Sequence, residues 1–168
     1  MADTLMKGRA FKFGDSVSTD LIIPGRYAQL RSNLPELAKH VMEDADPAFA
    51  SKVKTGDFIV AGKDFGLGSS REHAPLVIKI AGVSAIMAKS IARIFFRNAI
   101  NQGLPVLICD TDKIDTGDEL EVDLLKCTIT DLTNGNRLAF NKIPQVMLDI
   151  LGEGGLIPYI GKYGDFRL

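Results

Sequence analysis

The fold is decided by one stretch, VSAIMAKSIARIFFRNAINQGLPVLIC, at residues 83–109. It opens with a short apolar run at residues 83–88 and closes with another at residues 106–109. Between them, residues 90–102 read as a helix that Ser90 caps and Gly103 ends. A strand, a helix and a strand in succession predict one unit of a parallel sheet in an α/β fold.

The rest of the chain repeats this alternation and then changes to hairpins. Asn33 as a cap, with Pro35 in the first helical position, predicts a helix at residues 34–42. Alternating polar and apolar residues around Asn134-Gly135 predict a tight hairpin near the end. We therefore expect an α/β domain with a mixed sheet, with further strands at 8–13, 57–61, 119–124, 126–131 and 137–140 and further helices at 71–81, 144–151 and 155–160.

Composition excludes several classes of protein. Twenty basic and twenty-one acidic residues leave a net charge of -1, so nucleic acid is not expected as a partner. Hydrophobic residues make up 46% of the 168 residues, repeats and linkers are absent, and one domain over residues 1–168 is the prediction. Without a ~20-residue apolar run or a signal-peptide pattern at the N-terminus, no membrane association and a cytoplasmic location are expected.

The cysteines give no sign of a metal site. Cys109 and Cys127 lie in apolar, strand-like surroundings and lack C-x-x-C spacing. Buried free thiols are the interpretation we favour, and no metal ligand is assigned to this chain.

Chemistry is concentrated in GLGSSREH, residues 66–73, between a predicted strand and a predicted helix. A structural interpretation is open, because Ser69 followed by Glu72 has the spacing of a capping box and the glycines suit a turn. Arg71 favours a functional interpretation, since a cation in a first helical turn faces the positive end of the helix dipole. Amides freed by glycine, two hydroxyls and a guanidinium predict a site for a carboxylate or phosphate.

Two further segments are weaker signals. DSVSTDLIIPGRY, residues 15–27, reads by itself as a chain of polar turns after the first strand. Arg93 and Arg97 are four residues apart and share a helix face, which is more often a solvated face. Because Arg93 also stands in a first turn, that helix is interpreted as supporting an anion site only indirectly.

The three segments together, in this order, resemble the swivel domain of the aconitase superfamily in its free-standing form, the small subunit of a dehydratase. The resemblance rests on FGD at 13–15, STD at 18–20 with IIPG at 22–25, FGLGSSREHA at 65–74, and ARIF at 92–95 leading to GLP at 103–105. It covers most of residues 7–105, and Gly154-Gly155 fits it too. It implies a swivelling β/β/α domain with a mixed sheet that closes over a large subunit carrying a [4Fe-4S] cluster.

The resemblance also implies roles for individual residues. Ser69 would be the alkoxide base that removes the proton alpha to a carboxylate, assisted by Ser70 and Gly68. Arg71 would grip a substrate carboxylate and Asp20 would contribute to the site. A serine hydroxyl is a poor base unless cations, amide donors and exclusion of water stabilise its alkoxide.

The resemblance implies that the substrate is a small dicarboxylic or tricarboxylic hydroxy acid, whose identity depends on the loop after Pro24-Gly25. Relatives vary there, and both Arg26 and Arg31 are candidates for a second carboxylate contact, of which Arg31 is preferred. The leading activity that the resemblance implies is reversible dehydration of 2-isopropylmalate to a cis-unsaturated di-acid, followed by its rehydration to 3-isopropylmalate, in leucine synthesis. The alternatives are homoaconitase, a 2,3-dimethylmalate-type dehydratase, and a non-catalytic anion-binding module, and whether the isolated chain forms homo-oligomers stays open.

Overall fold

A computed structural model describes residues 4–167, whose strands form one seven-stranded mixed sheet. The sheet order is β4-β3-β2-β1-β5-β6-β7; β1 to β4 pair in parallel and β5 to β7 join them antiparallel. The predicted α/β class and mixed sheet are confirmed. The strands are β1 Leu5–Lys12, β2 Phe58–Ala61, β3 Ala85–Ala88, β4 Val106–Ile108, β5 Glu119–Asp123, β6 Thr128–Asp131 and β7 Arg137–Ala139.

Seven α-helices and two 3-10 helices accompany the sheet in the described range. None of these helices has both the length and the apolar character needed to span a bilayer. The prediction of one domain stays a prediction, and its residues 1–3 and 168 lie outside the described range. The helices are α1 Thr19–Ile22, α2 Leu34–Ala38, α3 Phe49–Lys52, α4 His73–Ile80, α5 Arg93–Asn101, α6 Gln145–Gly152 and α7 Leu156–Tyr163, and the 3-10 helices are Gly25–Ser32 and Thr111–Lys113.

Strands β2 and β3 are buried on both faces, which explains why they read as continuous apolar runs. Phe11 and Ile59 belong to a core that also contains Val77 of α4. Their neighbours Ala10 and Phe58 belong to a second core, shared with the antiparallel strands. The sheet therefore has helices packed on one face and a separate core on the other.

Two helix starts differ from the predictions. Ser90 does not cap α5, whose N-cap residue is Ala92, without a side-chain cap. The Ser90 hydroxyl instead accepts a hydrogen bond from the Asp64 amide, 2.8 Å away. Pairing of Ile91 with Phe65 keeps the chain extended to this point, so the helix cannot begin earlier.

The capping box at Ser69 and Glu72 is also wrong, because α4 begins at His73 with Glu72 as its N-cap residue and no side-chain cap. Arg71 thus precedes the helix. The predicted cap at Asn33 is confirmed, since its Oδ1 accepts a hydrogen bond from the Glu36 amide at 3.3 Å. That helix, predicted to reach residue 42, ends at residue 38 and continues as turns.

Candidate active site

The three segments singled out in the sequence follow β1, β2 and β3, whose carboxyl ends lie side by side in the sheet. Short parallel bridges continue beyond the strands, one joining Ser18 to Leu67 and one joining Phe65 to Ile91. The Gly66 amide donates to the carbonyl of Val17 at 2.7 Å. The loop after β2 is thereby held between its two neighbours, at the sheet edge where open α/β sheets bind ligands.

We call residues 66–71 the serine loop, and glycine determines its course. Gly66 has φ +79°, and a Cβ at this position would lie 2.3 Å from the ring of Phe95. Gly68 has φ +107°, and a Cβ there would lie 3.2 Å from the hydroxyl oxygen of Thr19. Both positions need the left-handed conformations that glycine adopts without strain. The loop can therefore pack closely against α5 and α1.

Between the serine loop and α5 lies a concave space of about 570 Å³, which we call the cleft. Ser69, predicted as the base, and Ser70, predicted to assist it, are exposed and line this cleft. The residues that line it are Thr19, Gly66, Gly68, Ser69, Ser70, Arg71, Ala92, Arg93, Ile94, Phe95, Arg97 and Asn98.

Arg71 lines the cleft and is fixed from the side of α1. One guanidinium nitrogen donates to the carbonyl of Ile23 at 3.0 Å, and another lies 2.7 Å from Asp20 Oδ1. Its side chain is 19% exposed, whereas that of Asp20 is 68% exposed. The ion pair therefore joins two residues predicted for the same site, and Arg71 still faces the open cleft. A guanidinium has five N–H donors, so some remain for a ligand.

Asp20 stands in the first turn of α1, which the sequence did not predict as a helix. Ser18 caps this turn, because its Oγ accepts a hydrogen bond from the Leu21 amide at 3.2 Å. A carboxylate in a first turn is favoured by the helix dipole. The short helix thus aims Asp20 at Arg71.

The structure separates the two candidate arginines of the next loop. Arg26 makes a two-point contact with Asp44, with nitrogen to oxygen distances of 3.0 and 2.7 Å, and this pairing raises the pKa of Arg26. Arg31 has no carboxylate within 4.0 Å in the described part of the chain. Neither side chain is among those that line the cleft. Arg31 is therefore the one without an ion pair, but it does not line the cleft with the serines.

His73 is the first residue of α4 and lies between two arginines and the protein interior. Burial lowers the pKa of His73, and the positive charges of Arg31 and Arg71 lower it further. Its Nε2 is buried and has no hydrogen-bond partner within residues 4–167. Arg31 and Arg71 thus both act on the start of the same helix, although only Arg71 reaches the cleft.

Several residues that line the cleft were not predicted from the sequence as residues that contact a ligand directly. Arg93, Ile94, Arg97 and Asn98, which we call the α5 wall, form the side of the cleft that includes the first turns of α5. Thr19 lines it as well. The spacing of Arg93 and Arg97 was a usable signal, since both face the cleft. Thr19 lies in the STD motif at 18–20 but was not predicted as a site residue, and no sequence pattern marks Asn98, because burial of a polar side chain is not readable from its neighbours.

The described residues contain no candidate metal site. Among residues 4–167, no group of three or more His, Cys, Asp or Glu side chains could hold a metal ion, so these residues do not offer ligands for a cluster. Both cysteines are free; Cys109 is buried and Cys127 is half-buried. Burial, together with the charge of Asp110, raises the pKa of Cys109 to about 11.

Several known proteins are similar to this chain. The profile of the aconitase C-terminal domain matches residues 19–110. The 3-isopropylmalate dehydratase small subunit 2 of Archaeoglobus fulgidus is 68% identical over 163 residues, covering 97% of this chain and 99% of the relative. The isopropylmalate/citramalate isomerase small subunit of Methanocaldococcus jannaschii is 53% identical over 161 residues, covering 95% of each.

A solved structure extends the likeness to three dimensions. The crystal structure of 3-isopropylmalate dehydratase from Methanocaldococcus jannaschii superposes with a TM-score of 0.92 at 48% identity, over 95% of each chain. The sequence identity and the structural similarity, both over nearly the whole length, indicate the same family. The chain belongs to the aconitase C-terminal domain family and, within it, to the small subunits of 3-isopropylmalate dehydratase.

Proposed function

We propose that this chain is the small subunit of a hydro-lyase that isomerises 2-isopropylmalate to 3-isopropylmalate and works only with a large subunit. The observation that carries the proposal is the convergence of Ser69, Ser70 and Arg71 in one open cleft. The names of its relatives support both the reaction and the need for a partner. The cytoplasm remains our prediction for its location.

In this proposal Ser69 removes the proton alpha to a carboxylate, and the hydroxyl on the neighbouring carbon departs to give an unsaturated di-acid. Water then adds with the hydroxyl on the other carbon, which completes the isomerisation. The [4Fe-4S] cluster that would activate the departing hydroxyl is assigned to the partner, because the described residues offer no ligand set for it. This chain supplies the base and the carboxylate contacts.

Arg71 has two tasks in the proposal. Its planar fork binds a substrate carboxylate, which fixes the hydrogen to be removed relative to Ser69. Its charge, with those of Arg93 and Arg97 around the same cleft, stabilises the alkoxide form of the serine. Asp20 holds the guanidinium in position before the substrate arrives. Ser70 and the backbone at Gly68 assist from the same loop.

In this proposal the choice among related hydroxy acids depends on the 3-10 helix Gly25–Ser32. Arg31 of this helix, which the sequence predicts as a substrate contact, does not line the cleft. A relative named for both isopropylmalate and citramalate makes citramalate a second candidate. Homocitrate and 2,3-dimethylmalate are the remaining ones. The reconstituted pair should give its highest kcat/KM with isopropylmalate, and faster turnover of any of the other three would overturn the leucine assignment.

Ser69→Ala tests the reaction. In the reconstituted complex it should abolish turnover while the circular dichroism spectrum and the affinity for the large subunit stay unchanged. Ser51→Ala is the matched control, because Ser51 is exposed and its hydroxyl bonds only to a local carbonyl. Retained turnover in Ser69→Ala would remove the serine from its role, and a wild-type complex that binds di-acids without turnover would favour an anion-binding module.

A further inference from the structure

The α5 wall carries charge that nothing in the described chain neutralises. Three guanidinium groups surround the cleft, and Arg71 is paired with Asp20. Neither Arg93 nor Arg97 has a carboxylate within 4.0 Å among residues 4–167. Arg93 is also the first residue of α5, where the helix dipole disfavours a cation. The wall is therefore complementary to an anion.

Two buried polar side chains in the same cleft also lack partners. Asn98 is 8% exposed, lines the cleft, and makes no side-chain hydrogen bond within residues 4–167. Thr19 is 2% exposed, and its hydroxyl oxygen is buried without a partner in that range. Buried polar groups in folded proteins are nearly always hydrogen-bonded. Among the lining residues that the structure describes, only the Thr19 hydroxyl is such an exception. The Asn98 amide is not completely buried, so it remains free to bond a ligand in the cleft.

We propose that Asn98 and Arg97 form a second carboxylate subsite, which receives the substrate carboxylate that Arg71 does not hold. The Asn98 amide donates a hydrogen bond to one carboxylate oxygen, and the Arg97 guanidinium pairs with the same group from the rim of the cleft. Arg93, four residues earlier on the same helix face, adds positive charge. The inference rests on the proposed function, because it takes a di-acid as the ligand.

A small di-acid fits these observations better than an acidic segment of the large subunit. A protein surface can pair with the exposed arginines at the rim. It does not account for Asn98, which is more than nine-tenths buried and lines the cleft. A ligand of a few carbon atoms can enter a space of about 570 Å³ and reach the Asn98 amide.

Direct binding to the reconstituted complex tests the subsite without requiring turnover. The probes are isopropylsuccinate, which carries both carboxylates and cannot be dehydrated, and each of its two monoamides, measured by titration calorimetry. Arg97→Gln and Asn98→Asp should each weaken isopropylsuccinate binding roughly 10- to 100-fold, the range for a lost charge-assisted contact. For one monoamide the effect should nearly disappear, because the contact is already missing.

Arg137→Gln serves as the control, because Arg137 is an exposed residue of β7, outside the cleft. Equal losses for isopropylsuccinate and both monoamides would overturn the subsite. So would unchanged ligand affinity combined with weaker binding of the large subunit, which would assign the α5 wall to an acidic partner surface. Should Asn98→Asp fail to fold, Arg97→Gln decides the matter, since Arg97 is exposed. Absence of turnover in a complex that still binds isopropylsuccinate would count against the proposed reaction alone.

Discussion

Two buried polar side chains, one in each half of the sheet, differ in their hydrogen bonding. In the antiparallel half, Asp131 is 1% exposed and its carboxyl accepts three hydrogen bonds from Thr133 and Asn134. In the loops of the parallel half, Thr19 is equally buried, and its hydroxyl has no partner among the described residues. A short hairpin turn can itself supply the hydrogen-bond donors that its buried aspartate needs. The cleft leaves donors unpaired, and we attribute these to ligand binding.

Arg71→Lys should impair the catalysis that we assign to the loops of the parallel half. A lysine can replace the charge but not the planar fork that contacts Asp20, the Ile23 carbonyl and a carboxylate together. We expect kcat/KM of the reconstituted enzyme to fall about 100- to 1,000-fold, or roughly 3 to 4 kcal/mol. Arg137→Lys on β7 is the matched control and should have no effect. Near-normal kcat/KM in Arg71→Lys would mean that the fork is not used.

The same substitution, glycine to alanine, compares packing in the two halves: Gly66 lies in the parallel half and Gly117 lies just before β5 of the antiparallel half. Both glycines have positive φ, +79° and +93°. At Gly66 the new Cβ would lie 2.3 Å from the ring of Phe95, whereas at Gly117 it meets nothing within 4 Å. Denaturant unfolding should therefore give a loss of about 2 to 4 kcal/mol at Gly66, from overpacking added to backbone strain. The loss at Gly117 should be about 1 kcal/mol. Equal losses would contradict the packing of the serine loop on α5.

Asp131→Ala should lower stability and leave catalysis intact. It removes the acceptor for three hydrogen bonds in a buried turn, and about 1 to 3 kcal/mol of unfolding free energy should be lost. The kcat/KM of the folded complex should stay within twofold of the wild-type value. A large change in kcat/KM would show that the antiparallel half takes part in the chemistry after all.

His73 should give the smallest effect, a dependence of stability on pH. Its folded-state pKa lies below the ordinary value of about 6.5, because of burial and the charges of Arg31 and Arg71. Between these two pKa values the unfolded chain binds more protons, so stability falls as the pH drops from about 6.5 toward the folded-state pKa. The difference in unfolding free energy between pH 7.5 and pH 5.5 should be smaller in His73→Gln than in the wild type. An unchanged difference would contradict the burial of this ring.

Local sequence was sufficient to predict a helix, strand or cap where one short-range interaction determines it. The strand, helix and strand predicted at 83–88, 90–102 and 106–109 correspond to β3, α5 and β4, with ends shifted by up to three residues. The cap at Asn33 was predicted because its acceptor and the amide it bonds are three residues apart. Ser90 has the same local signal and was mispredicted, since its hydroxyl is used by the Asp64 amide 26 residues away.

Most residues of the candidate site could likewise be predicted from the sequence, but their geometry could not. Ser69, Ser70, Gly68 and Arg71 do line one cleft, and Asp20 reaches it through Arg71. Arg31 does not line it. Asn98 was missed because its burial arises from the packing of α5 on the serine loop. Contacts of this kind depend on strand order, which is set by pairing between distant segments.

The most direct test is a crystal structure of the reconstituted complex with isopropylsuccinate bound. Our account predicts one carboxylate within hydrogen-bond distance of the Arg71 guanidinium, with Ser69 Oγ facing the carbon next to it. A ligand bound elsewhere, with Arg71 still contacting only Asp20 and the Ile23 carbonyl, would contradict it.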